Sequence, residues 1–140
     1  MMDTATILRN ARTICVYGLS RVKGKPAHDI PLYLRDKGYV VYGITPFSGD
    51  IEGIPCYATL DDVPGPIDIL DVFRPSDVTD AIVDEALRRH ADRADIGCVW
   101  LQLGITSEHG REKCETAGVT YVENTCIYVA HRAMVSNDRY

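Results

Sequence analysis

No two of the five cysteines (Cys15, Cys56, Cys98, Cys114, Cys126) are spaced as C-x-x-C, and an odd number cannot all close into internal disulfides. That excludes a disulfide framework and a zinc ribbon, and it suits a reducing compartment. Cys15 and Cys98 sit inside apolar runs and read as small core residues. The histidines, His28, His90, His109 and His131, show no metal-ligand spacing, so no metal site is expected. No apolar run approaches membrane-spanning length, and the first residues lack a basic-then-apolar leader. The expectation is therefore a cytoplasmic protein that does not engage a membrane. Basic charge is not in excess either. The 20 acidic and 15 basic residues leave a net charge of −5, which argues against nonspecific nucleic-acid binding. There is no G-x-S-x-G and no sequence sign of a nucleophile paired with a base, so no catalytic residue is assigned.

What the chain does have is alternation. Its 140 residues make one domain of ordinary size, residues 1–140, able to bury a single core without staples. "DTATILRNA" offers Asp3 as a helix cap with Ile7, Leu8 and Ala11 on one face. "TICVYG" is a short apolar strand ending at Gly18. A helix follows over Ala27 to Lys37, with Ile30, Tyr33 and Leu34 inward, Gly38 as its stop and Pro31 placed in its first turn. "YVVYGIT" is the second strand, closed by Pro46. The loop after it has room for a short edge strand around Ile54 to Tyr57 and a helical turn around Leu60 to Val63. "IDILDVF" is the third strand, and Ser76 caps the longest helix, to about Ala94. "IGCVWLQLG" and "VTYVEN" are the fourth and fifth strands, separated by a helix capped by Ser107. A last helix runs from about Ile127 to Met134.

Short apolar strands alternating with amphipathic helices imply an α/β fold. The expected architecture is a Rossmann-like three-layer domain, a five-stranded parallel sheet in the order 3-2-1-4-5 with helices on both faces. Ligands bind such sheets beyond the carboxyl ends of the strands, where the strand order reverses. The residues to inspect are thus "GLSRVKGKP", "TPF", "FRPSD", "QLGITS" and "NTC".

The first of these stretches has the makings of a phosphate site. Gly18 lets a ligand approach the backbone, Ser20 supplies a hydroxyl, Arg21, Lys23 and Lys25 supply charge, and a helix start follows. It is not a Walker A loop: Gly18 and Gly24 enclose five residues, and Pro26 stands where a Ser or Thr would hold magnesium. It is not a dinucleotide fingerprint either, since only Gly18 fits G-x-G-x-x-G. Strand two ends "GITP" with no carboxylate for the ribose hydroxyls, which disfavours NAD more than NADP. A solvated basic loop without a ligand is the plain alternative. Among single residues, Trp100 reads as core packing, Gln102 as a polar residue that needs a partner, His28 as a possible phosphate contact, and His90 as solvated. Asp61 and Asp62 read as the start of a helical turn. Cys126 follows strand five near the expected site and reads more readily as a buried thiol than a reactive one.

Together "VYGLS", "GKPAH", the proline closing strand two, "DVFRPS", "VWLQLGI" and "NTCIYVAH" resemble the small stand-alone CoA-binding proteins, whose fold is similar to the CoA-binding domain of the succinyl-CoA synthetase α subunit. The resemblance runs from about residue 6 to 134. It implies that Gly18, Leu19 and Ser20 cradle a pyrophosphate and that Arg21, Lys25 and Pro26 line the phosphate end. It further implies that Thr45 and Pro46 border adenine and ribose, that Phe73 and Arg74 flank the nucleotide or pantetheine, and that Gln102 and Gly104 face the ligand. The chain departs from that pattern at Thr45, where the family often has Asn, and at Ala130, where an acid tends to precede the final histidine. The implied function is binding of coenzyme A or an acyl-CoA, a small-molecule ligand, without catalysis by the isolated chain. Two other readings stand beside it: a CoA-binding subunit of a multi-chain acyl-CoA ligase, and an NADP-binding redox sensor.

Overall fold

The computed structural model describes residues 3–47 and 49–138. Strands β1 (Thr13–Tyr17), β2 (Val40–Ile44), β3 (Cys56–Tyr57), β4 (Ile67–Val72), β5 (Ile96–Leu101) and β6 (Thr120–Val122) form one sheet in the order β3-β2-β1-β4-β5-β6. Every ladder in it is parallel. The helices are α1 (Thr4–Asn10), α2 (Pro26–Asp36), α3 (Ser76–Arg93), α4 (Glu108–Ala117) and α5 (Ile127–Asn137). The Rossmann-like architecture is the expected one, with a sixth strand. The segment anticipated as a short edge strand does pair, Gly43 with Cys56 and Ile44 with Tyr57, and, third along the chain, it forms the edge of the sheet beside β2. Ile67–Val72 is thereby the fourth strand and lies directly beside β1.

Period-two alternation sorts the strands into two apolar layers. Ile14 and Val16 of β1, with Cys98 and Trp100 of β5, pack with Leu8, Leu34 and Ile127 from α1, α2 and α5. Cys15, Val99 and Leu101 pack the other way, with Val83 and Ala86 of α3 and Cys114 of α4. Trp100 is fully buried and donates its indole N–H to the Thr125 carbonyl at 2.9 Å, so it is core, as expected.

Local chemistry sets the helix ends. Asp3 accepts from the Thr6 amide at 2.8 Å, and Ser107 accepts from Gly110 at 2.8 Å, as the sequence suggests. Ser76 does not cap α3. Pro75 holds that position, and the Ser76 hydroxyl instead accepts from the Thr106 amide at 3.2 Å, joining two carboxyl-end loops. His90 is half-buried rather than solvated, because its Nδ1 accepts from the Ile96 amide at 3.1 Å where β5 begins. Arg89 is fully buried beneath α3, paired with Asp95 at 2.8 Å and donating to the Leu60 carbonyl. That pairing fixes the 60–66 loop from below.

Two connections leave the middle of the sheet in opposite directions. From β1 the chain passes through α2 to β2; from β4 it passes through α3 to β5. The strand order therefore reverses between β1 and β4. The loops 18–25 and 73–75 diverge there and leave a crevice between them.

Candidate functional site

The crevice begins at Gly18. Its φ of +100° is one that side-chain-bearing residues avoid, and a Cβ there would meet Arg74 Nε at 3.1 Å and the Phe73 carbonyl at 3.3 Å. Glycine thus lets the Arg74 side chain lie across the end of β1. The Gly18 amide is already donated to the Ile44 carbonyl at 2.9 Å.

The loop beyond it is braced on α2 through a proline. Pro31 lies in the second turn of α2 rather than the first, and it brings no N–H to the Ala27 carbonyl one turn back. That carbonyl accepts instead from the Ser20 amide at 3.0 Å. Two of the three amides expected to cradle phosphate, those of Gly18 and Ser20, therefore hold the loop in shape. The Ser20 hydroxyl accepts from the Val22 amide at 3.1 Å, which leaves its own proton to donate.

A second brace runs through His28, whose imidazole is buried and does not reach the cleft as a phosphate contact would. Its Nδ1 meets Asp29 Oδ1 at 2.7 Å, and its Nε2 meets Glu52. The Asp29 bond, aided by Glu52, raises the pKa of His28 against the opposing effect of burial. The same Asp29 oxygen accepts from the Gly24 amide at 3.2 Å. One buried imidazole so connects the phosphate-type loop to the turn before β3.

The cleft walled by these loops measures about 460 Å³, within the range of small-molecule sites. Of the residues anticipated from the sequence, Gly18, Leu19, Ser20, Arg21 and Lys25 line one side, Thr45 and Pro46 another, and Phe73 and Arg74 a third. Pro26 is the first residue of α2, next to Lys25, and is not part of the lining. Lys23 also stays outside it. Phe47, the last residue of the "TPF" stretch picked out from the sequence, joins the lining with 68% of its surface exposed.

The charged groups differ in how they are held. Arg21 donates to the Gly49 and Asp50 carbonyls at 2.8 and 3.4 Å, which ties the 49–50 segment to the cleft edge. Lys25 is exposed at the N-cap of α2. Arg74 is half-buried, and its guanidinium has no ion-pair partner among the described residues.

Gln102 and Gly104 lie apart from that lining. Gln102 is buried, donates to Asp71 Oδ1 at 2.5 Å and accepts from the Ile127 amide at 3.2 Å, so it joins β4, β5 and the start of α5. Gly104, with φ +84°, donates to the Asn124 side chain at 2.7 Å. Asp71 was not singled out from the sequence, although an acid inside "IDILDVF" was the available signal. It is fully buried, its Oδ2 lacks a hydrogen-bond partner, and burial pushes its pKa up to about 7.

Among the described residues none of the thiols or serine and threonine hydroxyls here is hydrogen-bonded to a histidine. Cys126 is half-buried at the N-cap of α5, and among the described residues no cysteine shares a hydrogen bond with a histidine. His131 packs α5 against α2, its Nδ1 2.6 Å from the Tyr33 hydroxyl, with burial lowering its pKa. No group of three or more metal-ligating side chains occurs among the described residues. No helix among them is long and apolar enough to cross a membrane.

Comparison with known proteins follows the same outline. The model of a family described as "CoA binding domain" matches residues 12–132. A Bacillus subtilis protein, YneT, is 30% identical over 125 residues, spanning 89% of both chains. An ADP-forming acetate–CoA ligase of Archaeoglobus fulgidus is 28% identical over 106 residues, 74% of this chain but only 15% of the ligase. A solved Thermus thermophilus protein superposes with a TM-score of 0.86 at 35% identity, covering 95% of this chain and 99% of its own.

Proposed function

The chain belongs to the CoA binding domain family, and from that membership we propose that the cleft between β1 and β4 holds coenzyme A or an acyl-CoA, as a binding module without catalysis of its own. Arg74 carries this reading. Arg74 is partly buried in the cleft wall with no carboxylate paired to it among the described residues, so part of its hydration is given up without an ion pair in return. A phosphate would repay it, through the paired N–H geometry that guanidinium offers to oxyanions. Ser20 and Lys25 line the same cleft and would complete the anion site, with Arg21 keeping the opposite edge in place. Pro46 and Phe47 present apolar surface suited to the adenine, with Thr45 beside the ribose. Pro26 sets the start of α2 behind Lys25, while Gln102 and Gly104 shape neighbouring loops rather than touch the phosphates.

A nicotinamide dinucleotide fits less well, because β2 ends at Ile44 and is followed by Thr45 and Pro46, with no carboxylate for the ribose hydroxyls. Thermal unfolding with CoA and with NAD separates these readings. CoA at one hundred times its dissociation constant adds about 2.7 kcal/mol to stability, and NAD adds nothing comparable. Equal stabilisation by both would refute the proposal.

A further inference from the structure

His28 is a buried imidazole with a carboxylate at each ring nitrogen. Its Nδ1 lies 2.7 Å from Asp29 Oδ1 on α2, and its Nε2 meets Glu52 Oε2 from the turn before β3. An ionised carboxylate only accepts, and a neutral imidazole has a single N–H to give. The imidazolium alone, with a proton on each nitrogen, fills both bonds. The Asp29 bond, and Glu52 after it, hold the pKa of His28 above its ordinary value against the opposing effect of burial. The cations on the same segments are turned to backbone or solvent. Arg35 of α2 donates to the Glu52 carbonyl, Arg21 donates to those of Gly49 and Asp50, and Lys23 and Lys25 are exposed.

Both ends of this clasp are tied to the cleft. Asp29 Oδ1 also accepts from the Gly24 amide at 3.2 Å, beside Lys25 in the lining. Glu52 sits at φ +47°, a left-handed conformation that a residue with a side chain keeps only where contacts fix it. Just before it, the Gly49 and Asp50 carbonyls anchor Arg21, which lines the cleft. We propose that His28, as the imidazolium, is a positioning residue for the cleft: it clasps the loop after β1 to the 49–54 turn, so that CoA affinity depends on a proton the ligand never touches. The inference rests on the CoA reading above. When that proton is lost, one ring nitrogen turns a lone pair on a carboxylate and one of the two bonds breaks. Affinity is therefore full below about pH 6.5, the ordinary histidine value, and falls as pH rises through the raised value of the folded chain. By reciprocity, bound CoA makes His28 hold its proton more tightly.

The test is calorimetric titration of CoA across that pH range with wild type and two variants. Wild type should weaken about tenfold towards high pH, a usual size for coupled sites. Glu52→Gln offers Nε2 an amide donor, which satisfies the neutral imidazole at both nitrogens, so its affinity should not fall with pH. His28→Gln carries no proton to lose and should also give a flat profile, at weaker affinity. Ionisations of CoA itself are common to all three chains and drop out of the comparison. NMR of the His28 ring should show both N–H protons at neutral pH, and a titration midpoint that CoA raises by about one pH unit for a tenfold coupling. A wild-type profile parallel to that of Glu52→Gln, or a midpoint unmoved by CoA, would overturn the inference while leaving the CoA reading standing. Failure of wild type to bind CoA at any pH would overturn both.

Discussion

Replacing Arg74 by alanine should weaken CoA binding while leaving the unliganded chain at least as stable as before. The two effects have opposite signs because the guanidinium is half-buried, lies across Gly18, and has no ion-pair partner among the described residues. Its removal therefore relieves desolvation instead of breaking a contact. When phosphate is bound, the same group makes charge-assisted hydrogen bonds. Each is worth roughly 1.5–3 kcal/mol, or about tenfold to over a hundredfold in affinity. Arg74→Lys keeps the charge but loses the planar fork, and should fall between wild type and alanine. Titration calorimetry measures the affinities, and thermal unfolding without ligand measures the stability, at roughly 4 °C per kcal/mol for a chain of this size. The affinity loss should shrink in high salt. An Arg74→Ala chain that binds CoA normally, or that melts several degrees lower without ligand, would refute the reasoning.

Three other perturbations test the supports of the site. Gly18→Ala forces a side chain into φ +100° and against Arg74 Nε; it should cost about 1–3 kcal/mol of stability and weaken CoA together, by unfolding and titration, and a neutral result would show that Arg74 does not need the glycine. Pro31→Ala brings an N–H that competes for the Ala27 carbonyl and weakens the bond from the Ser20 amide; hydrogen exchange of that amide, followed by NMR, should accelerate, and unchanged protection would mean that the proline does not set the loop. Asp71 titrates at about 7 when folded, against 3.8 for the ordinary group, so the folded state holds its proton more tightly. Its stabilisation is full below about pH 4 and is lost as pH rises to about 7, a swing of several kcal/mol. Asp71→Asn should remove that component of the pH profile of unfolding, and an identical profile would show that Asp71 is not buried as a neutral acid.

The strand-end loops were legible in the sequence because apolar runs ending in glycine or proline announce where strands stop. Gly18, Pro46 and "FRPS" mark the strand ends by residue type alone, and the Asp3 and Ser107 caps follow from residue type and spacing. What did not read is whatever depends on contacts between distant segments. Nothing in the local pattern distinguishes Arg74 from Arg21, yet one guanidinium lies over Gly18 and the other clasps backbone carbonyls. Pro31 looked like a first-turn proline because such prolines are common; its place one turn further on, with Ser20 filling the gap, depends on how the loop folds back. His28 lay in the right segment, but its partner Glu52 comes from beyond β2. The Tyr17–Glu85 bond joins β1 to α3 across the switch point, which periodicity alone cannot show.

The proposed CoA site lies at the carboxyl ends of β1 and β4. Amide chemical-shift mapping of the isotope-labelled chain during CoA titration tests it most directly. Saturable shifts are expected at residues 18–25, 45–47 and 73–74, the segments that line the cleft. Residues around the small cavity at the opposite end of the sheet, such as Asn10, Asp68 and Gly97, should stay still. Shifts confined to that opposite end, with the loops after β1 and β4 unmoved at saturating CoA, would contradict it.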